Sequence, residues 1–355
     1  SQRFWVTSLN DGTQIDPLDF ASAEGNPDDV VALNVNHREV WLFGTSTVEV
    51  WYNAGLADFP LARIAGAFME VGCAAPYSVA KLDNSVFWLG SDIRGNGIVY
   101  RNNGYNAQRI STHAIEWQIQ QYDVINDAIG YSYQQDGHLF YILTFPTANA
   151  TWCYDATTGA WHERAGWDGV KFVRHRSNCQ ANFNNEILVG DWLNGLVYAF
   201  DPEIYSDNNA IQRWLRSWRA LPTGQNDLRR TAHHTLQLDC EAGVGVLDSE
   251  TFLLLLEDGD YLLLENGDYI ASISAGTVLG ADPKVMLRWS DDGGHTWSNE
   301  HWSRMGKIGE YYHRVFWRRL GMTLKLRDRV YEISGTDPVK IAIMGAEVLM
   351  SPTSA

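Results

Sequence analysis

The chain is patterned for strands. Apolar runs closing on glycine recur as EVWLFG (Glu39 to Gly44), SVFWLG (Ser85 to Gly90) and EILVG (Glu186 to Gly190), with GHLFYIL (Gly137 to Leu143) between the last two. Each run is followed by a second strand-like segment carrying a tyrosine: TVEVWY to Tyr52, GIVY to Tyr100, TWCY to Tyr154 and GLVYAF through Tyr198. These tyrosines fall 48, 54 and 44 residues apart, close to the period of four-stranded propeller blades. NNG (Asn102 to Gly104) and TTG (Thr157 to Gly159) are turn chemistry, with glycine supplying positive φ. Four blade-like units are expected over roughly residues 28 to 215. One helix interrupts them: Ser111 or Thr112 can cap it, and Ile115, Ile119 and Tyr122 recur on one face.

Four units give an open arc or a small propeller, and radial closure is what removes exposed sheet edges. LPTGQNDLRR (Leu221 to Arg230) mixes Pro, Gly, Asn and Asp without apolar periodicity and reads as a linker. Beyond it, HTLQLDC, VMLRWS, HRVFWRRLG, MTLKLRDRVYEI and VKIAIMGAEVLM are alternating or aromatic-rich segments with short turns and no helical pattern, which argues for an antiparallel sandwich. LLLEDGDY from Leu254 repeats at once as LLLENGDY from Leu262, and Asp258-Gly259 and Asn266-Gly267 are type I′ hairpin signals. Left bare, so apolar a meander would aggregate; a neighbour such as another subunit is expected to cover it. The expected fold is all-β: a β-propeller-like domain with one inserted helix over residues 1–220, then an antiparallel β-sandwich domain over 231–355 with a hairpin repeat at 252–270.

Composition narrows the function classes. At 355 residues, 45% hydrophobic and 20% charged, the chain has ample apolar material for two cores. Fifteen Trp and sixteen Tyr favour strands and broad contact surfaces. A formal net charge of −16 excludes an ordinary DNA binder, since affinity for the duplex comes from protein cations displacing counterions. An acidic lining would instead let DNA slide past without sticking. Cys73, Cys153, Cys179 and Cys240 lie far apart with no CxxC pair, so neither a zinc site nor a disulfide framework is expected, and all four are read as small buried apolar residues. No apolar stretch is long enough to span a membrane, and the strand-like opening without an initiator Met suggests that the polypeptide begins earlier.

One stretch invites a catalytic reading. SDDGGHTW (Ser290 to Trp297) has the SxDxGxTW spacing of the Asp box found in sialidases, carried by Ser290, Asp292, Gly294, Thr296 and Trp297. The same residues make a turn: the carboxylate accepts backbone N–H groups, the glycine takes a conformation other residues avoid, and the Trp packs beneath. A sialidase would also need an arginine triad, a Tyr paired with a Glu and several boxes on successive blades. One box outside the blade region favours the structural reading. Asp258/Asp260 and Asn266/Asp268 lack the further ligands of a calcium loop, and His233-His234 in an alternating strand point to opposite faces, so no metal or cofactor is expected. VRHR (Val173 to Arg176), RWLRSWR (Arg213 to Arg219) and WRR (Trp317 to Arg319) mix arginine with aromatics; given the acidic total, they fit protein interfaces better than phosphates. No GxSxG, Walker loop or HExxH is present, and no catalytic residue is assigned.

The stretches WLFGTSTVEVWYNAG (Trp41 to Gly55), FMEVGCAAPYSVAKLDNSVFWLG (Phe68 to Gly90) and LRWSDDGGHTWSNEHWSRMGKIGEYYHRVFWRRLGMTLKLR (Leu287 to Arg327) resemble, in order and spacing, the packaged-DNA stabilisation or tail hub (tail accessory) proteins of short-tailed bacteriophages. The resemblance implies a non-enzymatic ring component, a homohexamer beneath the portal and adaptor proteins, in contact with a tail needle or tailspike. It would hold packaged DNA and pass it through its lumen without sequence-specific binding or any membrane contact. It also implies a place in the virion tail after assembly in the host cytoplasm. Family members are longer at the N-terminus, and the LLLEDGDY/LLLENGDY repeat departs from their pattern. Two other readings stay open: a carbohydrate-active or glycan-binding propeller, motivated by the Asp box and by Trp-rich strands able to stack on sugars, and a scaffold or adhesin of non-viral origin.

Overall fold

The structure, a computed structural model, describes residues 2–353 except 9, 24, 26–27, 57–58, 93–94, 220–229, 247–249, 254–270, 275–277 and 325–328. The chain divides into two units, Ser1–Phe200 and Asp201–Ala355, each built almost entirely of antiparallel strands.

The first unit opens with a two-stranded hairpin, β1 (Arg3–Ser8) and β2 (Asp11–Ser22). A four-stranded sheet follows, β3 (Val30–Asn36), β4 (Glu39–Gly44), β5 (Val48–Asn53) and β6 (Leu61–Met69), paired in chain order. The next sheet holds β7 (Gly72–Cys73), β8 (Ala80–Leu82), β9 (Ser85–Asp92), β10 (Gly95–Asn103) and β11 (Asn106–Arg109), with both β7 and β8 on β9. After helix α1 (His113–Gln120) comes a third sheet, β12 (Ile129–Gln135), β13 (His138–Phe145), β14 (Ala150–Asp155) and β15 (Ala160–Glu163). A short pair, β16 (Ala165–Trp167) and β17 (Phe172–Arg174), precedes a three-stranded sheet of β18 (Ser177–Phe183), β19 (Glu186–Asp191) and β20 (Val197–Ala199). The four apolar runs of the sequence are thus β4, β9, β13 and β19, the interior strands of the four sheets.

The apolar runs of β9 and β13 are continuous because both faces of these strands are covered. Successive side chains of β9 point to opposite faces, and Val86, Phe87, Trp88 and Leu89 are all fully buried. Val86 and Trp88, with Tyr100 of β10, pack on Trp41, Phe43, Val48 and Val50 of the first sheet. Phe87 and Leu89 pack the other way, on Tyr141, Leu143, Phe145 and Tyr154 of the third sheet and on Ile115 and Ile119 of α1. The far face of the third sheet, Tyr131, Tyr133, Ile142 and Cys153, receives Ile187 and Phe200. The sheets therefore stack face to face in chain order, as propeller blades do. A polar stitch reinforces one seam: the Tyr141 hydroxyl donates to the Ser78 carbonyl at 2.7 Å, and the Ser78 hydroxyl accepts the Leu89 N–H at 3.0 Å. Gly130 is required beside it, since a Cβ there would sit 2.4 Å from that carbonyl oxygen.

Thr112 caps α1, its hydroxyl accepting from the Ile115 N–H. Ser111, the other candidate, faces inward, accepting the Val99 N–H at 3.0 Å and donating to buried Glu116 at 2.6 Å.

The second unit comprises β21 (Trp214–Arg219), β22 (Thr231–Cys240), β23 (Glu250–Leu253), β24 (Ala271–Ser274), β25 (Lys284–Ser290), β26 (His301–Arg304), β27 (Val315–Met322), β28 (Val330–Gly335) and β29 (Ile343–Pro352). A four-stranded sheet ordered β21-β28-β25-β26 and a three-stranded sheet ordered β27-β22-β29 enclose one core. The first contributes Val285, Leu287, Tyr331 and Ile333, the second Leu236, Leu238, Val315, Trp317 and Leu320. β23 and β24 pair separately. The 254–269 repeat and residues 221–229 of the expected linker lie outside the described residues. Trp214–Arg219, assigned from sequence to the propeller side of that linker, pairs with β28 from Trp214↔Gly335 to Arg219↔Val330. It completes the sandwich sheet, and Trp214 and Trp218 pack on the sandwich core.

The cysteines are all free thiols, but only Cys73 and Cys153 are buried; Cys240 is half-buried and Cys179 is exposed, on a β18 whose later residues face outward. Among the described residues no helix is long and apolar enough to cross a membrane.

Truncating a two-faced strand should be costly where truncating a rim position is not. Phe87→Ala is expected to destabilise the first unit by about 3–5 kcal/mol, whereas Leu33→Ala, at a 65% exposed position, should stay within about 0.5 kcal/mol. Denaturant titrations followed by tryptophan fluorescence check both.

Candidate functional site: the Asp-box turn

β25 runs into the box, and Ser290 begins it. The Ser290 hydroxyl donates to one carboxylate oxygen of Asp292 at 2.6 Å and accepts the Gly294 N–H at 2.8 Å. That same Asp292 oxygen accepts the N–H groups of His295 and Thr296, each at 2.9 Å, while the other accepts the Thr296 hydroxyl at 2.6 Å. Gly293 and Gly294 hold φ of 77° and 103°, where a Cβ would be strained. The turn closes as the Ser298 N–H donates to the Trp289 carbonyl at 2.8 Å and the Trp289 N–H returns to the Ser298 hydroxyl at 3.0 Å. Trp297 lies under the Arg288 guanidinium, 4.7 Å from ring centre to Cζ. The structure thus brings Ser290, Asp292, Gly294 and Thr296 into one hydrogen-bonded turn, with Trp297 packed on the strand that leads into it.

Such a turn has little chemistry left to offer. The hydroxyls of Ser290 and Thr296, then the backbone donors, hold the Asp292 carboxyl far below the usual carboxylate range, so it has no proton to give as a general acid near neutrality. Nearby arginines are already engaged: Arg288 with Glu332, Arg304 with Asp282 at 2.7 Å, Arg213 with Glu300 at 3.7 Å. A sialic-acid carboxylate would need such groups uncommitted and convergent.

Sequence reasoning missed the residue that anchors the turn. Arg329, 2% exposed, forks onto both carboxylate oxygens of Asp291 at 2.6 and 2.7 Å and donates to the carbonyls of Leu320 at 2.6 Å and Met322 at 3.1 Å. One guanidinium thereby ties the box to β27 of the other sandwich sheet. Its only sequence signal is an arginine just ahead of the VYEI strand. Close by, buried His233 shares hydrogens with the Tyr331 hydroxyl at 2.7 Å and the Thr231 hydroxyl at 3.0 Å. Burial first, then the charge of Arg329, pushes the His233 imidazole down to about 4, against the opposing pull of Asp291. His234 faces outward to Ser351, so the two imidazoles do part to opposite faces. No group of three or more metal-ligating side chains occurs among the described residues.

The arginine-aromatic segments are split: Trp214, Trp218 and Trp317 turn into the sandwich core, while some of their arginines and neighbouring rings stay at the surface. Arg174 lies over the Trp192 ring at 3.9 Å and Arg318 over Phe316 at 4.6 Å. Trp302, Tyr311 and Tyr312 are exposed, Tyr312 almost completely.

The described residues thus form a stack of two-faced sheets followed by a sandwich whose Asp-box carboxylate is spent on its own turn. Two family descriptions match the chain in order: "Bacteriophage P22 Gp10, beta-propeller" over residues 1–205 and "Bacteriophage P22 Gp10, beta-sandwich" over residues 269–351. The chain belongs to this family of packaged-DNA stabilisation proteins and is a phage structural protein. None of the curated proteins searched matches it.

Two outcomes test the anchoring. Arg329→Met leaves Asp291 without its partner and should cost the sandwich about 3–5 kcal/mol, with part recovered in the Asp291→Leu/Arg329→Met double variant. For His233, the unfolded imidazole takes up a proton near pH 6.5 that the folded one resists until about pH 4. Stability is therefore complete above pH 6.5 and falls as pH drops through that window. His233→Gln should flatten the pH profile of the sandwich's melting temperature between pH 6.5 and 4.

Proposed function

We propose that this chain is a tail hub subunit: one of several identical copies in a ring beneath the portal and adaptor that retains packaged DNA and forms part of its exit channel. The observation that carries the reading is the match of both Gp10 descriptions, propeller and sandwich, in their order along the chain. The sixfold order and the needle or tailspike contacts rest on the family resemblance. The physical character of the chain supports the rest. A net charge of −16 disfavours adhesion to a phosphate backbone, as a passage for DNA requires. Exposed aromatics and ring-stacked arginines are the side chains that protein interfaces enrich. The role needs no turnover, and the Asp box is accounted for as a turn.

Phage lacking this chain should fill their heads and then lose the DNA, giving empty particles that regain full heads when the chain is supplied before release. Full, infectious particles without it would contradict the proposal. The glycan reading is checked separately: binding on a glycan array, or fluorogenic glycoside turnover abolished by a Tyr or Glu substitution, would favour it instead.

A further inference from the structure

We propose that the β1–β2 hairpin of one copy docks on the open edge of the β18–β20 sheet of the next copy, making the head-to-tail contact of the ring. The inference rests on the ring proposed above, and four observations lead to it.

The last sheet is one strand short. Tyr154 in β14 and Tyr198 in β20 hold the same place in their repeats, but β14 turns at TTG into β15, whereas the chain leaves β20 at Phe200 with no counterpart. Among the described residues one edge of β20 therefore carries no ladder, a surface that a strand or hairpin from elsewhere can cover. The same end is apolar: Leu193 is 63% and Val197 66% exposed, with Leu196 between them and the Trp192 ring beside them. It also carries two cations: Arg174, stacked on Trp192 with no ion pair among the described residues though within reach of the Asp127 charge, and Lys171 in the adjoining turn beside Asp168.

The hairpin is the complement. Among the described residues β1 and β2 pair only with each other, and a lone two-stranded hairpin is marginal in water. Its base is held on the first sheet through Phe4, whose ring meets Trp51 at 5.0 Å and Phe59 at 5.8 Å. Towards its tip, Ile15 and Leu18 are exposed, Leu18 at 81%, and Asp11, Asp16 and Asp19 stand among them with no Lys or Arg.

Placement selects a second copy as the occupant. The sheets pack in series from first to last, and no apolar cluster among the described residues joins the last sheet to the first. Hairpin and open edge thus occupy opposite ends of the stack, and a rotational ring requires two unlike, complementary surfaces on each subunit.

The test uses full-length chain with Cys179→Ser and Cys240→Ser to remove the accessible thiols. One tagged copy carries Leu18→Cys and a differently tagged copy carries Val197→Cys; both are assembled into tails together and oxidised. The expected result is a disulfide joining the two tags within assembled rings. Rings that form without it, or a Leu18→Cys/Val197→Cys chain that cross-links only to itself, would overturn this contact while leaving the ring reading intact; the absence of any ring would overturn both. A second arm reads charge. Arg174→Glu with Lys171→Glu should cut ring yield about tenfold or more, and Asp16→Lys with Asp19→Lys should restore it. Failure of that restoration in chains that melt like the parent would also count against the contact.

Discussion

The first unit depends on one constraint: a sheet that is apolar on both faces must be covered on both. β9 meets it by burying four consecutive side chains, two towards the first sheet and two towards the third. Burial of that kind is worth about 1.5–3 kcal/mol per large side chain, and it forces each sheet to recruit a neighbour. A stack assembled this way leaves a sheet at each end, and the proposed contact between copies uses those ends. The exposed leucines after β19 and the exposed hairpin tip follow from the same rule that built the interior.

In the second unit the organising force is hydrogen-bond satisfaction. The Asp box spends its carboxylate on two backbone N–H groups and two hydroxyls, while the neighbouring carboxylate holds a buried arginine that also serves two carbonyls of the opposite sheet. Buried cations survive only when each donor has a partner. A motif that resembles a catalytic signature thus acts as a rivet between two sheets, a direct case of function residing in the site's geometry and not in the motif's spelling.

The interior strands were legible because continuous apolar runs bounded by glycine survive any alternative pairing. The helix was legible from its capping residues and its face. β21 was not: WLRSWR alternates aromatic and cationic residues, and the turn chemistry at 221–230 is a louder boundary signal than the pairing of Trp214 and Trp218 onto a sheet that is complete only a hundred residues later. Arg329 escaped for a related reason, since its burial is created by partners from β27 and from the turn after β25. The β1–β2 hairpin also left little trace, because Asp16–Asp19 bulge out of its ladder between Ile15 and Phe20 and break the two-residue period. What a strand does with its nearest neighbours is written locally; what it does at the edge of a sheet depends on residues far away.

The central claim is that the chain works by fitting against copies of itself around a DNA passage. Electron cryomicroscopy of assembled tails tests it most directly. The account predicts a closed ring of this subunit below the portal, with a lumen wide enough for duplex DNA; tails in which the subunit is present only as isolated, non-adjacent copies would contradict it.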